Sequence, residues 1–197
     1  IGKKLNFTGL FNFRSQFTKG YTYLDENTKV LTSNFAAPAY ILFSLGTDWK
    51  ITPFLSAFIS PATARWIIVS NDSLAHVAAY GVDSGRKSRF EFGSFISIKF
   101  QKEFNKTTSY RTRMDLFSNY LHNPQNINLY WTNILAVKAF RLISINISLD
   151  LIYDNDIKSV KPDGTAGGAA LQIKEVLGVG LAYEFNNKRR FLPKTAP

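Results

Sequence analysis

The chain has 197 residues, 45% of them hydrophobic, and its 24 Lys and Arg outweigh 14 Asp and Glu to give a net charge of +10. That length is one domain's worth of protein, and no stretch approaches the ~18 consecutive apolar residues that a membrane helix requires. The lack of Cys excludes disulfides, thiolate metal sites and cysteine nucleophiles, and the basic surplus comes without the helical stripe or stacking motif that points to nucleic acid.

The first predicted strand runs from about Lys4 to Phe17. Leu5, Phe7, Gly9, Phe11, Phe13 and Phe17 share one face, and Lys4, Asn6, Thr8, Asn12, Arg14 and Gln16 share the other. After a long polar connection, Thr18 to Pro38, a second strand from Ala39 to Lys50 puts Ile41, Phe43, Leu45 and Trp49 opposite Tyr40, Ser44, Asp48 and Lys50. Ile51 to Pro53 is a tight turn. The third strand starts at Phe54 with Leu55, Ala57 and Ile59 on one face, but beyond Pro61 the apolar parity moves to Trp66 and Ile68. A proline removes a ladder donor, so a bulge is expected between Pro61 and Ala64.

Asn71 to Ser88 is a second long loop. The fourth strand, Arg89 to Gln101, sets Phe90, Phe92, Ile96, Ile98 and Phe100 against Arg89, Glu91, Gly93, Ser97 and Lys99. A turn at Lys102 to Lys106 leads to a fifth strand, Thr107 to Tyr120, with Tyr110, Thr112, Met114 and Leu116 opposite Arg111, Arg113, Asp115 and Asn119. A compact loop, Leu121 to Asn126, precedes a sixth strand from Ile127 to Ala139. After a tight turn at Phe140 and Arg141, the seventh strand alternates cleanly: Ile143, Ile145, Ile147, Leu149, Leu151 and Tyr153 against Ser144, Asn146, Ser148, Asp150 and Asp154. Asn155 to Ala170 is a Gly- and Asp-rich loop. The final strand, Leu171 to Phe185, alternates again and ends on the aromatics Tyr183 and Phe185.

Alternate residues of a strand face opposite sides, and dyad runs of this length exceed those of most soluble strands. Long and short connections also alternate strictly. Together these point to an all-β, antiparallel transmembrane β-barrel in a bacterial outer membrane, with short turns and the C-terminus in the periplasm. A mean hydropathy of −0.09 fits apolar rows diluted by interior ones. Eight strands are expected in residues 1–185, followed by a basic periplasmic tail at 186–197. The bland alternative is a soluble β-sandwich or lipocalin-like barrel; strand length argues against it. No export segment precedes the first strand, so the barrel reading expects one upstream of Ile1.

Several segments resemble an uncharacterised family of outer-membrane barrels from Bacteroidetes-type bacteria, one that carries a domain of unknown function. They are Ser33 to Lys50 (SNFAAPAY with SLGTDWK), Ile59 to Lys87 (ISPAT with IVSNDSLAHVAAYGVDSGRK), Asp115 to Trp131, Leu151 to Lys158 and Gln172 to Phe185. The resemblance implies about four more strands upstream and a barrel of about twelve. It implies no activity, and the tail from Asn186 to Pro197 departs from the family's ending.

Inward charges form the main candidate site. Arg14, Arg89, Lys99, Arg111, Arg113, Lys138 and Lys174 face Asp48, Glu91, Asp115, Asp150 and Glu184 across the expected lumen. They either pair and plug it or form an anion-selecting eyelet. Pairing is favoured, with Arg111 or Arg113 expected against Asp115 or Glu91. The loop histidines, His76 with Asp72 and Ser73 nearby and His122 beside Asn123, are the only footing for a lipid- or peptide-hydrolase alternative; loop histidines are usually solvated. Asp154, Asp156 and Asp163 lack an EF-hand spacing and read as turn chemistry. The expected partners are outer-membrane lipid, anionic lipopolysaccharide and other outer-membrane proteins of an envelope complex. No cofactor, metal or catalytic set is assigned. The expected role is scaffold, subunit or small passive, porin-like pore.

Overall fold

The computed structural model describes residues 4–23, 28–140, 142–155, 158–160 and 166–181. One eight-stranded antiparallel sheet dominates it. Its strands are β1 (Leu5–Ser15), β4 (Ala39–Thr52), β5 (Leu55–Ile68), β6 (Ser88–Glu103), β7 (Thr108–Asn119), β8 (Ile127–Lys138), β9 (Ile143–Tyr153) and β12 (Gln172–Leu181). Spatial order follows chain order, β1-β4-β5-β6-β7-β8-β9-β12. Two small hairpins stand apart: β2 (Gly20–Tyr23) with β3 (Lys29–Ser33), and β10 (Lys158–Val160) with β11 (Ala166–Ala169). A helix, α1 (Asp72–His76), and a 3-10 turn at Ala79–Gly81 occupy the connection between β5 and β6.

The dyad pattern sorts the two faces as expected. Phe7, Phe11, Phe13, Phe43, Leu45, Trp49, Trp66, Phe90, Phe92, Ile147, Ile173, Leu177 and Val179 are exposed on one face. The opposite face buries Ser44, Phe58, Ser60, Thr63, Glu91, Phe95, Ser97 and Phe117. The sheet curls strongly toward this second face. Arg14 on β1 lies 5.5 Å from the ring of Tyr130 on β8, although four strands separate β1 from β8. Among the described residues the sheet does not close: β1 is paired with β4 alone, and β12 with β9 alone.

The expected bulge is present on β5. Register slips between Ser60 and Thr63 against β6, and between Leu45 and Thr47 on the β4 side. The extra residue moves outward parity from Ile59 to Trp66. A chain of three buried hydroxyls lies at the bulge. Thr63 Oγ1 donates to Ser44 Oγ (2.8 Å), Ser60 and Thr63 hydroxyls meet at 2.9 Å, and Ser60 Oγ lies 2.7 Å from the Leu45 carbonyl. Gly46 sits opposite, where a Cβ would strike the Ile59 carbonyl, and a Cβ on Gly93 would strike that of Ser118. These close approaches let the sheet curl.

The strand ends joined by connections 53–54, 104–107 and 139–142 lie at one end of the sheet, and those joined by 16–38, 69–87, 120–126 and 154–171 at the other. Among the described residues, the connection 69–87 carries more structure than a plain loop. Ala37, Val69, Leu74, Ala75 and Val82 are buried with Ile67 in a small core at that end, packed by Leu31, Tyr40, Ala79 and Tyr80. Asn71 caps α1 by accepting from Leu74 N (3.1 Å), and the Tyr80 hydroxyl donates to the Thr32 carbonyl. Lys87 bonds Asp72 at 2.7 Å, and this hydrogen bond and charge hold the Asp72 carboxyl below its usual range. Its small, salt-screened contribution is present at neutral pH and goes as pH falls through the lowered folded value.

If close backbone approach sets the curl, Gly93→Ala costs about 1–3 kcal/mol by overpacking. Gly9→Ala, whose Cβ meets only Leu45 Cδ2 at an ordinary 3.7 Å, costs little. Denaturant midpoints of the two variants read the difference; equal midpoints would remove the close-approach argument.

Candidate functional site: the concave interior

Three phenylalanines, Phe58, Phe95 and Phe117, fill part of the concave face, with Leu10 and Leu42 packed against them. None of the three was among the residues the dyad reading singled out, because it assigned that face to charge. Above this plug lies Glu91, whose side chain is fully buried. Arg65 from β5 and Arg89 from β6 both bind it, one on each carboxylate oxygen. Arg65 also lays its guanidinium 4.1 Å from the Phe117 ring centroid. A carboxylate buried this deeply stays charged only if paired and hydrogen-bonded, and two guanidinium groups satisfy that requirement.

This pairing corrects the expectation for Glu91, while the expected pair of Arg113 with Asp115 is present. Glu91 is held by Arg65 and Arg89, while Arg111 and Arg113 do not reach it. Arg113 bonds Asp115 at 2.9 Å along its own strand. Arg111 has no ion pair among the described residues. Arg65 was missed, although the parity shift at Pro61 contains the signal: once Trp66 points outward, Arg65 points in.

The remaining predicted charges disperse along the face. Asp48 stands in register with Asn6 and Phe58, and Lys99 with Ser56 and Arg113. Asp150 lies between Thr132 and Lys174, with Oδ1 buried and without a hydrogen-bond partner among the described residues. Lys138 and Lys174 are exposed. Glu184, Tyr183, Phe185, Asp156, Asp163 and the tail at 186–197 lie outside the described residues.

Beside the plug is a cavity of about 820 Å³. Arg14, Arg65, Arg111 and Arg113 line it, with Asp115 and Asp154 as its carboxylates. Arg14 lies between two rings, 5.0 Å from Tyr40 and 5.5 Å from Tyr130. Tyr80 of the long-loop core, Tyr153 and Gln172 complete the lining toward that end. Arg89 donates to the Gly81 carbonyl at 2.7 Å, which fastens the 3-10 turn to the sheet beside this mouth.

The histidines stand elsewhere. His76 ends α1, with its carbonyl accepting from Ser84 Oγ (2.7 Å), and His122 Nε2 meets Asn123 Nδ2 at 3.2 Å. Among the described residues neither imidazole bonds a hydroxyl, neither lines the cavity, and no three His, Cys, Asp or Glu side chains gather into a metal-binding group.

Glu91→Gln tests the buried triad. Removing a partner from a buried pair costs about 3 kcal/mol or more, whereas Asp83→Asn, which loses only an exposed 3.9 Å pair with Arg86, costs almost nothing. Equal denaturant midpoints for the two variants would show that the triad adds no stability.

Comparison with known proteins leaves the geometry as the ground for a functional reading: the chain matches no family model, no curated protein and no solved structure.

Proposed function

We propose that this sheet is the wall of an outer-membrane β-barrel that acts as a closed scaffold or subunit of an envelope assembly, without steady conductance. One observation carries the membrane reading. The convex face is apolar along its whole length: on β5 to β7 aromatic contacts gather toward each end with mainly aliphatic rows between them, and Phe7, Trp49 and Trp131 add rings to those intervening rows. At the long-loop end Trp66 packs on Phe90 (4.8 Å) and Phe92 on Tyr120 (6.1 Å). At the short-turn end Phe54 meets Phe100 (5.6 Å), Phe100 meets Tyr110 (6.2 Å), and Lys102 lies 5.0 Å from the Phe54 ring. Ile59, Ile96, Ile98, Met114 and Leu116 lie in the intervening rows. From Phe90 to Phe100 a strand rises ~33 Å at ~3.3 Å per residue. Tilted by ~40°, it climbs ~25 Å, the height of the apolar band of an outer-membrane barrel.

The open edges support a larger barrel. β1 and β12 run antiparallel to each other, so an even number of antiparallel strands bridges them, and about four would give a barrel of about twelve. In water, two open apolar edges would invite aggregation. In this reading the long connections face outward, the short turns and the C-terminus are periplasmic, and the convex face meets lipid while the outer rim meets lipopolysaccharide.

The closed state is supported by the apolar plug and by Glu91 held between two arginines. Paired charge and packed rings leave less conducting path than an eyelet of free cations. The hydrolase alternative has no comparable support, since His76 and His122 stand apart from the cavity.

Topology is tested by cysteine labelling on intact cells. Ser84→Cys should react with an impermeant maleimide and Asn105→Cys should not; the reverse pattern inverts the orientation. The lipid face is tested by charge. Ile147 is exposed on the convex face and Ser148 points inward, so Ile147→Arg should cost ~2–4 kcal/mol at midplane depth and Ser148→Arg much less, read as yield of heat-modifiable folded protein. In planar bilayers the protein should pass little or no steady current. An ohmic, anion-selective channel would make it a porin instead.

A further inference from the structure

The cavity carries charge that the plug does not use. Its lining contributes four arginines and two carboxylates. Glu91 takes up Arg65 and Asp115 takes up Arg113, but Arg14 and Arg111 have no ion pair among the described residues. Arg14 is oriented without a carboxylate: the Tyr40 and Tyr130 rings, at 5.0 and 5.5 Å, hold its guanidinium by cation–π attraction. This fixes the planar donor fork in place before any ligand arrives, which lowers the ordering cost of binding.

A volume of about 820 Å³ is in the range of small-molecule sites. The cavity lining also includes Leu42, Phe95 and the two tyrosines, beside the Asp154 carboxylate. Tyr130 is in register with Asp115, and Arg111 with Ile134. Arg111 therefore lies ~13 Å further along the strand at ~3.3 Å per residue, toward the short-turn end. Cations stand at two depths along the cavity.

We propose that this cavity binds an organic anion, with a carboxylate or phosphate group seated on Arg14 and a planar or apolar body lying against Tyr40 and Tyr130. The proposal rests on reading the concave face as a barrel interior. It differs from the eyelet in one respect: the ligand is held and not conducted. A free oxyanion would engage the guanidinium alone, whereas an organic anion also covers the rings, so the two sources separate by affinity.

The test is calorimetric titration of the full protein, folded in uncharged detergent micelles, with phenyl phosphate, inorganic phosphate and benzyl alcohol. Phenyl phosphate should bind saturably, and the other two at least tenfold more weakly. Arg14→Gln should weaken phenyl phosphate at least tenfold, and Lys106→Gln, in a short turn, should leave it unchanged. Tyr130→Leu provides a second variant should Arg14→Gln fail to fold; it should weaken phenyl phosphate more than inorganic phosphate. Absence of saturable binding by folded wild-type protein overturns the site. Equal affinity for phenyl and inorganic phosphate, or equal loss in Lys106→Gln, overturns it as an organic-anion site. Flotation of the same preparation with phospholipid vesicles separates this from the barrel reading: protein that floats but does not bind loses the ligand site and keeps the barrel, and protein that binds but does not float does the opposite.

Discussion

The structure depends on one constraint, that a strand sends successive side chains to opposite faces of a sheet. In this chain the two faces suit different surroundings. One carries rings and aliphatic chains outward over eight strands; the other holds hydroxyls, arginines and a buried carboxylate. A flat sheet would leave the polar face as open as the apolar one. Curling lets side chains from strands far apart in the sheet meet, and the arginine of β1 reaching the tyrosine of β8 is the clearest instance.

Curling has local requirements. Backbones approach closely at Gly46 and Gly93, where no side chain fits. The β5 bulge adds twist and changes parity; the Ser60 hydroxyl meets the Leu45 and Ala62 carbonyls there, and Thr63 and Ser44 extend the hydroxyl chain. Next to it, Arg65 and Arg89 neutralise Glu91. A single feature of β5 therefore positions the apolar plug, the ion triad and, through Arg65, one wall of the cavity. The core at the long-loop end, built from Val69, Leu74 and Val82, joins the same assembly through the bond from Arg89 to Gly81. Interior and loop core are mechanically linked.

Much of this was legible in the sequence, for a physical reason. A half-buried strand writes its orientation into every second residue, so the eight strands, their faces and the bulge at Pro61 could be read directly. Long-range pairing is not written that way. Glu91 and Arg89 alternate inward on one strand, but Arg65 lies on another, and choosing it over Arg111 or Arg113 requires knowing the register across the bulge. The phenylalanine plug was hidden because Phe58, Phe95 and Phe117 occupy positions that a polar lumen assigns to charge. The β2–β3 hairpin and α1 are too short for periodicity to reveal, and tertiary packing against Val69 and Ile67 sustains them. The cavity likewise depends on curvature, which no local pattern encodes.

The central claim is that the convex face meets hydrocarbon. Trp49, Trp66 and Trp131 are all exposed on that face, and the chain has no other tryptophan. Tryptophan fluorescence of the protein reconstituted into vesicles, quenched either by lipids brominated along the acyl chain or by iodide in water, tests this most directly. The account predicts strong quenching by brominated lipid and little by iodide. Strong quenching by iodide with none from brominated lipid would contradict it.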